Sequence, residues 1–467
     1  MIRNGATGRA ALRDGRGGAH AKDPRTTTFL ARRMPRPVGF WLLAVTLLAI
    51  LAASAAPSPL YVVYQHRWNF SPATLTTIFA VYVVALLVAL LIVGGLSDFI
   101  GRRPVLAAAL VVEAASMVVF LTADGVGPLL VARTLQGLAT GAAVGAIGAG
   151  LLDLEPSPRS PLGPLLNSVA PAAGLAAGAL GTGALVEYAP APTVLVFALF
   201  AALFVLLAAA VAFLPEPVTP RPGALASLRP RVAVPSGARR EFLAATPSLV
   251  ATWAMGGLYL ALGPSVVAGV LHIGSHLVGG LVVTALFGAG AIASLLVRDL
   301  APRRVTAAGS LVLAVGTGLT LLALVGPSTP LFFIGTAVAG AGFGSSFLGS
   351  FRSLAVLAGP TERAELFASV YILSYLALSV PAVVAGLEVP SYGLRTTTTV
   401  YGVVAIVLAL LAALAGALRG TAVSPSTVVA SSEGLAADGP ERVVSGRDVM
   451  EAGLAESASS GMDTRGR

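Results

Sequence analysis

The sequence predicts an all-α integral membrane protein whose twelve transmembrane helices form two sets of six. Three observations carry that prediction. The 467 residues are 56% hydrophobic and 11% charged, against about 25% charged residues in a soluble globular chain, and the mean hydropathy is +0.87. The apolar residues gather into twelve runs of about 20, the length that crosses a hydrocarbon core as a helix. Those runs lack the two-residue alternation of a membrane β-strand, so each is expected to satisfy its backbone polar groups internally, as a helix. An ordinary soluble enzyme is excluded on composition. A collagen-like or disordered chain is excluded too, because the 53 Gly and 31 Pro follow no three-residue period and sit among too many apolar residues.

In chain order the first six spans are expected at 38–60, 74–93, 105–122, 128–150, 166–186 and 193–214. The second six are expected at 247–270, 277–297, 306–325, 331–351, 366–387 and 400–418. Connections are short except for residues 215–246, which carry Arg221, Arg229, Arg231, Arg239 and Arg240 with several prolines. The expected organisation is a basic N-terminal tail (1–37), an N-terminal bundle (38–214), a central loop (215–246), a C-terminal bundle (247–418) and a polar C-terminal tail (419–467). Both tails are polar and are expected to be disordered.

Arginine placement orients the spans. With the N-terminus in the cytoplasm, the cytoplasmic connections carry Arg102, Arg103, Arg159, the five arginines of the central loop, Arg298, Arg303, Arg304 and Arg363. The outer connections carry only Arg67 and Arg395. This is the positive-inside pattern for an even number of spans with both termini cytoplasmic, and it accounts for the formal charge of +9 without nucleic-acid binding. A competing reading makes the first span a signal peptide, since basic residues precede it and it ends in "LAASAAP". Removing it would leave eleven spans and destroy the arginine pattern. Met34, just ahead of the first span, is an alternative start. The chain has no cysteine and four histidines, so neither a metal site nor a resident cofactor is expected.

The halves resemble each other at an offset of 201. Asp98, Arg102 and Arg103 align with Asp299, Arg303 and Arg304, and Glu187 aligns with Glu388. Between spans 2 and 3 stands "GGLSDFIGRRP", Gly94 to Pro104. As a tight turn, it uses Gly94 for close helix contact and Gly101 for a positive φ. Asp98 can accept from neighbouring arginines, and Arg102 and Arg103 can anchor to anionic headgroups.

The pattern G-x-L-x-D-x-x-G-R-R after the second of twelve spans resembles the signature of the major facilitator superfamily. The resemblance covers roughly residues 38–418, as span count, central loop and half-repeat agree with it. It implies two six-helix bundles related by a pseudo-twofold axis. It also implies that Asp98 and Gly101 form a cytoplasmic latch against span 11 in the outward-facing state. Phe99 departs from the basic residue often found there, and the second-half copy is degraded to "VRDLAPRR".

Two ionisable residues fall inside spans: Glu113 in span 3 and Arg133 in span 4. A central charge costs roughly 2.5–3.5 kcal/mol on insertion scales, so each calls for a reason. Arg133 begins "RTLQG", with Gln136 and Gly137, which resembles the superfamily's R-x-x-Q-G pattern in span 4; the resemblance implies a role in proton coupling. Snorkelling of Arg133 to the outer headgroups is the alternative. Glu113 is either a structural acid or a proton carrier paired with Arg133. Arg352 reads as an interfacial anchor. Gly137, Gly141 and Gly145 recur every four residues, a close-packing face.

Span 5 reads "NSVAPAAGLAAGALGTG". Pro171 and Gly174 match part of the glycine-rich motif of proton-coupled exporters in the superfamily, while Gly174, Gly178 and Gly181 also read as small-residue packing. Tyr82, Trp253, Tyr259, Tyr371 and Tyr375 are the candidate cavity residues. No nucleophile, base and orienting acid recur together, so an enzyme is not expected. The expectation is a monomeric, proton-coupled exporter of drug-like or amphiphilic compounds in a bacterial inner membrane. Its partners are the lipid bilayer, the solute and protons. An importer of a small organic solute and a non-transporting receptor on the same scaffold are the alternatives.

Overall fold

The computed structural model describes residues 34–156, 162–230, 232–326, 328–357 and 363–420. Most of both tails, with Arg159 and Arg231, lies outside the described residues. The first half comprises α1 (Arg36–Ala55), α2 (Pro57–Trp68), α3 (Pro72–Val93), α4 (Ser97–Ile100), α5 (Arg102–Leu121), α6 (Val126–Asp153), α7 (Leu162–Tyr188) and α8 (Pro192–Val211). One turn, α9 (Ala224–Ser227), lies in the central loop. The second half comprises α10 (Arg239–Ala261), α11 (Gly263–Gly269), α12 (His276–Leu296), α13 (Pro302–Val325), α14 (Thr329–Ala355) and α15 (Arg363–Gly420). Eleven helices are long and apolar enough to cross a membrane among the described residues.

The last of these is two spans. At roughly 1.5 Å per residue, the 58 residues of α15 far exceed a hydrocarbon core of about 30 Å. Gly393 breaks the helix with φ 77° and ψ 155°, between the two expected final spans. With that break the chain has the twelve-span, two-bundle fold. Exposed apolar side chains such as Leu206, Val315, Leu322 and Val380 face outward, as a chain solvated by lipid requires.

Two boundaries differ from the sequence expectation. Span 1 continues to Trp68, because Pro57 sits at the first position of α2, where its missing N–H is tolerated, and Ala56 keeps helical angles. Span 7 starts at Arg239 rather than 247, with Pro247 inside the helix. Ala238, Ala245 and Leu249 are buried with Leu354, Leu366 and Val370, and that burial carries the extra turns.

Glycines set the closest helix approach. Along α6, an added Cβ at Gly137 or Gly141 would overlap backbone of α3 near Tyr82 and Leu86, and Gly145 faces Gly94. Gly174 and Gly178 of α7 do the same against α1, whereas Gly181 has nothing within 4 Å. Gly141→Val is therefore expected to lower the thermal midpoint in detergent by several degrees, through overpacking of about 1–3 kcal/mol or more. Gly181→Val should leave the midpoint near that of the wild type, and equal effects of the two would refute the packing account.

The halves meet at the end that carries Trp68, Glu187 and His276. Ser58 Oγ donates to the Leu260 carbonyl (2.7 Å), and Glu187 Oε2 accepts from the N–H of His276 at the start of α12 (2.8 Å). Gly183 packs against His276 and Gly280. Further toward the middle, Thr284 Oγ1 donates to the Ala176 carbonyl (3.0 Å). Gly386 lies against Thr76.

Candidate coupling and gating site

At the opposite end, the turn between α3 and α5 is built around Gly101, with φ 105°. Arg102 is buried. Its guanidinium pairs with Asp98, donates to Ser97 Oγ at 2.6 Å and reaches Asp153 Oδ2 at the end of α6 at 3.1 Å. The headgroup role expected for Arg102 is thus corrected: two carboxylates within reach hold it inside the protein. Asp98 has Arg102 as its described partner, and residues 358–362, just ahead of span 11, lie outside the described residues.

A residue without any sequence signature completes the turn. Glu216, just after α8, accepts from the N–H of Arg102 (3.0 Å) and of Arg103 (2.8 Å). A carboxylate there satisfies free donors at a helix N-terminus and complements its dipole. Arg103 also reaches the Ala212 carbonyl (3.4 Å). The central loop continues across the turn: Arg221 N–H donates to Phe99 O (2.9 Å), and its guanidinium lies 4.6 Å from the Phe99 ring centroid. An acid among so few charges was the only available signal for Glu216, and nothing in the spacing ties it to residue 102.

Arg133 is fully buried, which removes the snorkelling alternative. Its Nε and Nη2 donate to Tyr61 Oη at 2.9 and 2.5 Å. Its Nη1 donates to the Ser54 carbonyl at 3.0 Å and to Gln136 Oε1 at 2.7 Å. Gln136 Nε2 in turn donates to the Ala53 carbonyl at 3.0 Å. The guanidinium lies 5.5, 5.0 and 6.0 Å from the ring centroids of Tyr61, Tyr82 and Phe120. The site therefore ties α6 to α1, α2, α3 and α5 around one cation. Tyr61 does not stand out in the sequence, because a contact across 72 residues leaves no local pattern, and Phe120 reads as one more apolar residue of its span.

Glu113 is also fully buried. Its Oε1 accepts from Thr140 Oγ1 at 2.7 Å, and its Oε2 has no hydrogen-bond partner. Thr140 lies seven residues, about 10 Å, along α6 from Arg133. The acid and the guanidinium are within electrostatic reach, but the described bonds of Arg133 go to neutral groups. Of the two sequence alternatives for Glu113, the direct pair with Arg133 is not formed; the two residues hold neighbouring sites on α6.

The candidate cavity residues separate into three places. Tyr82 belongs to the Arg133 site, donating to Ser54 Oγ (2.9 Å). Tyr259 is buried, bonded to Thr336 Oγ1 (3.0 Å), and lines a small pocket with Met255, Thr320, Phe332 and Thr398. Trp253, Tyr371 and Tyr375 come together, with Trp253 and Tyr375 ring centroids 5.6 Å apart and Tyr371 stacked on Tyr375. Arg352 donates to the carbonyls of Arg298 and Leu300 (2.6 and 3.1 Å), so it fastens a turn of its own bundle. Pro171 lies inside α7.

Twelve spans in two bundles, with charges buried at mid-helix and a structured turn at one end, define a polytopic membrane carrier fold. The sequence profile of the Major Facilitator Superfamily matches residues 42–304, more than half of the chain, and the chain belongs to that family of secondary transporters. No curated protein matches it significantly. Among solved structures it is similar to the human organic anion transporter MFSD10 (TETRAN). The TM-score is 0.59 at 20% identity, covering 81% of this chain and 100% of that one. It is also similar to a bacterial homologue of the human lysosomal transporter Spinster, in an inward-facing and unoccupied conformation. There the TM-score is 0.66 at 13% identity, covering 82% of this chain and 97% of that one. At these identities the likeness is one of fold.

Proposed function

We propose that the protein is a proton-coupled transporter that exports amphiphilic or drug-like organic compounds by alternating access. Glu113 is the observation that carries the coupling. A buried carboxyl is costly unless it is neutral or paired, and here one oxygen has a hydroxyl donor and the other has none. Such a group can take up and release a proton, and Arg133 is the fixed charge beside it. Export is supported by the partial glycine-rich motif around Pro171 and Gly174. With both termini cytoplasmic, the end at which the described bundle contacts gather, around Ser58, Glu187 and His276, is the outer one. A periplasm-active reporter fused after Arg419 is expected to be silent; strong activity would invert the topology.

The Gly94–Arg103 turn, with Glu216, acts as the cytoplasmic gate. Gly101→Val forces a side chain into positive φ and against Glu216. It should slow transport while leaving membrane insertion intact, because insertion depends on apolar area. Asp98→Asn and Glu216→Gln should do the same. Wild-type turnover in all three would reduce the turn to a topology signal.

The deciding experiment is transport by everted vesicles energised with a proton gradient, screened over an organic compound library. Gradient-dependent accumulation supports export. Accumulation only by intact cells makes the protein an importer, and neither result makes it a receptor on a carrier scaffold.

A further inference from the structure

Two helices of the C-terminal half are buried along most of their inner length, with one break each. From Ala251 to Leu262 only Trp253 is part-exposed, and from Gly342 to Ser350 only Phe347 is. Lipid exposure would mark several positions at helical spacing, as it does for Leu376, Val380, Val384 and Leu387 on α15. A single ring uncovered on each of two buried helices marks an internal space instead. The two rings meet edge to face, 5.1 Å between centroids.

The contacts continue from that pair. Phe343, Phe347 and Phe351 recur every four residues on α14, and Phe367, Tyr371 and Tyr375 recur every four on α15, so each trio shares one helix face. Trp253 bridges Phe347 and Tyr375. Phe351 stacks on Phe367 at 4.7 Å and lies 6.4 Å from Tyr371. The part-exposed rings form a ladder in which every described ring contact is to another aromatic side chain, and Trp253 Nε1 has no hydrogen-bond partner.

We infer that this ladder is the substrate wall and that it takes flat aromatic compounds that are neutral or positively charged. The inference deepens the transport reading and rests on it. Stacked rings present flat faces that favour π-systems. Their quadrupoles attract cations and repel anions.

The test uses purified full-length protein in detergent with Trp41→Phe and Trp68→Phe, which leaves Trp253 as the sole reporter of the three tryptophans. Ethidium and acridine should quench its fluorescence saturably. Pyrenesulfonate, an aromatic anion, and tetrabutylammonium, a non-aromatic cation, should bind at least about tenfold more weakly. Phe347→Leu and Tyr371→Leu should each weaken ethidium binding by about tenfold, while lipid-facing Val380→Ala should not. Non-saturable quenching, quenching unchanged in Phe347→Leu, or equal binding of pyrenesulfonate would overturn the assignment. Binding is read without a gradient, so the two readings fail separately. Saturable quenching without proton-driven transport would sink the transporter reading alone, whereas proton-driven transport of a solute that never quenches Trp253 would sink the ladder alone.

Discussion

Arg133→Ala is expected to abolish uphill transport and to destabilise the N-terminal bundle. The guanidinium is the sole described donor to Tyr61 Oη and to Gln136 Oε1, and it also serves the Ser54 carbonyl. Each buried acceptor left without a donor costs about 1–3 kcal/mol. Loss of the ring contacts adds up to about 2 kcal/mol for a desolvated cation. Removing a buried charge recovers part of this, so the net loss should be a few kcal/mol rather than the sum. Arg133→Lys keeps the charge but not the planar fork that serves Tyr61 twice and Nη1's two acceptors. It should therefore restore stability better than transport. Initial rates in proteoliposomes, read beside thermal midpoints, check this. If Arg133→Ala transports at the wild-type rate, the cluster is only a helix tie.

Glu113→Gln should separate coupling from movement. The substitution is nearly isosteric, and the amide oxygen can still accept from Thr140, so the bundle should fold. Without a titrating group, a proton gradient has no differential affinity on which to act. The accumulation ratio should then fall to about one, while substrate counterflow stays within about twofold of the wild type. Normal uphill transport by this variant would make Glu113 a structural acid. Loss of counterflow as well would place it in substrate binding or folding.

Parts of both sites were legible in the sequence for different reasons. Arg133 and Glu113 stand out because a charge in an apolar run is costly, and Gly101 because only a residue without Cβ reverses the chain cheaply. Glu216, Tyr61 and Thr140 carry no such mark. Each matters through a partner at least 27 residues away, at 2.7–3.0 Å. Trp253, Tyr371 and Tyr375 were candidates from the sequence, whereas Phe347 and Phe351 were not singled out, because an aromatic residue on a membrane helix reads equally well as packing.

The sequence by itself determined whatever solvation and local backbone chemistry dictate. Apolar runs of span length require helices, and glycines every four residues allow close packing. Tertiary structure alone decided where each span ends: packing around Ala238 carried α10 back to Arg239, and Gly393 divided the last 58 residues. It also decided what each buried charge meets, because pairing depends on which helix faces are turned together. Arg102 was drawn from the headgroups to Asp98 and Asp153, and Arg133 to Tyr61 and Gln136 rather than to Glu113. A periodic sequence specifies the face of one helix; the identity of the opposite face is a property of the assembled bundle.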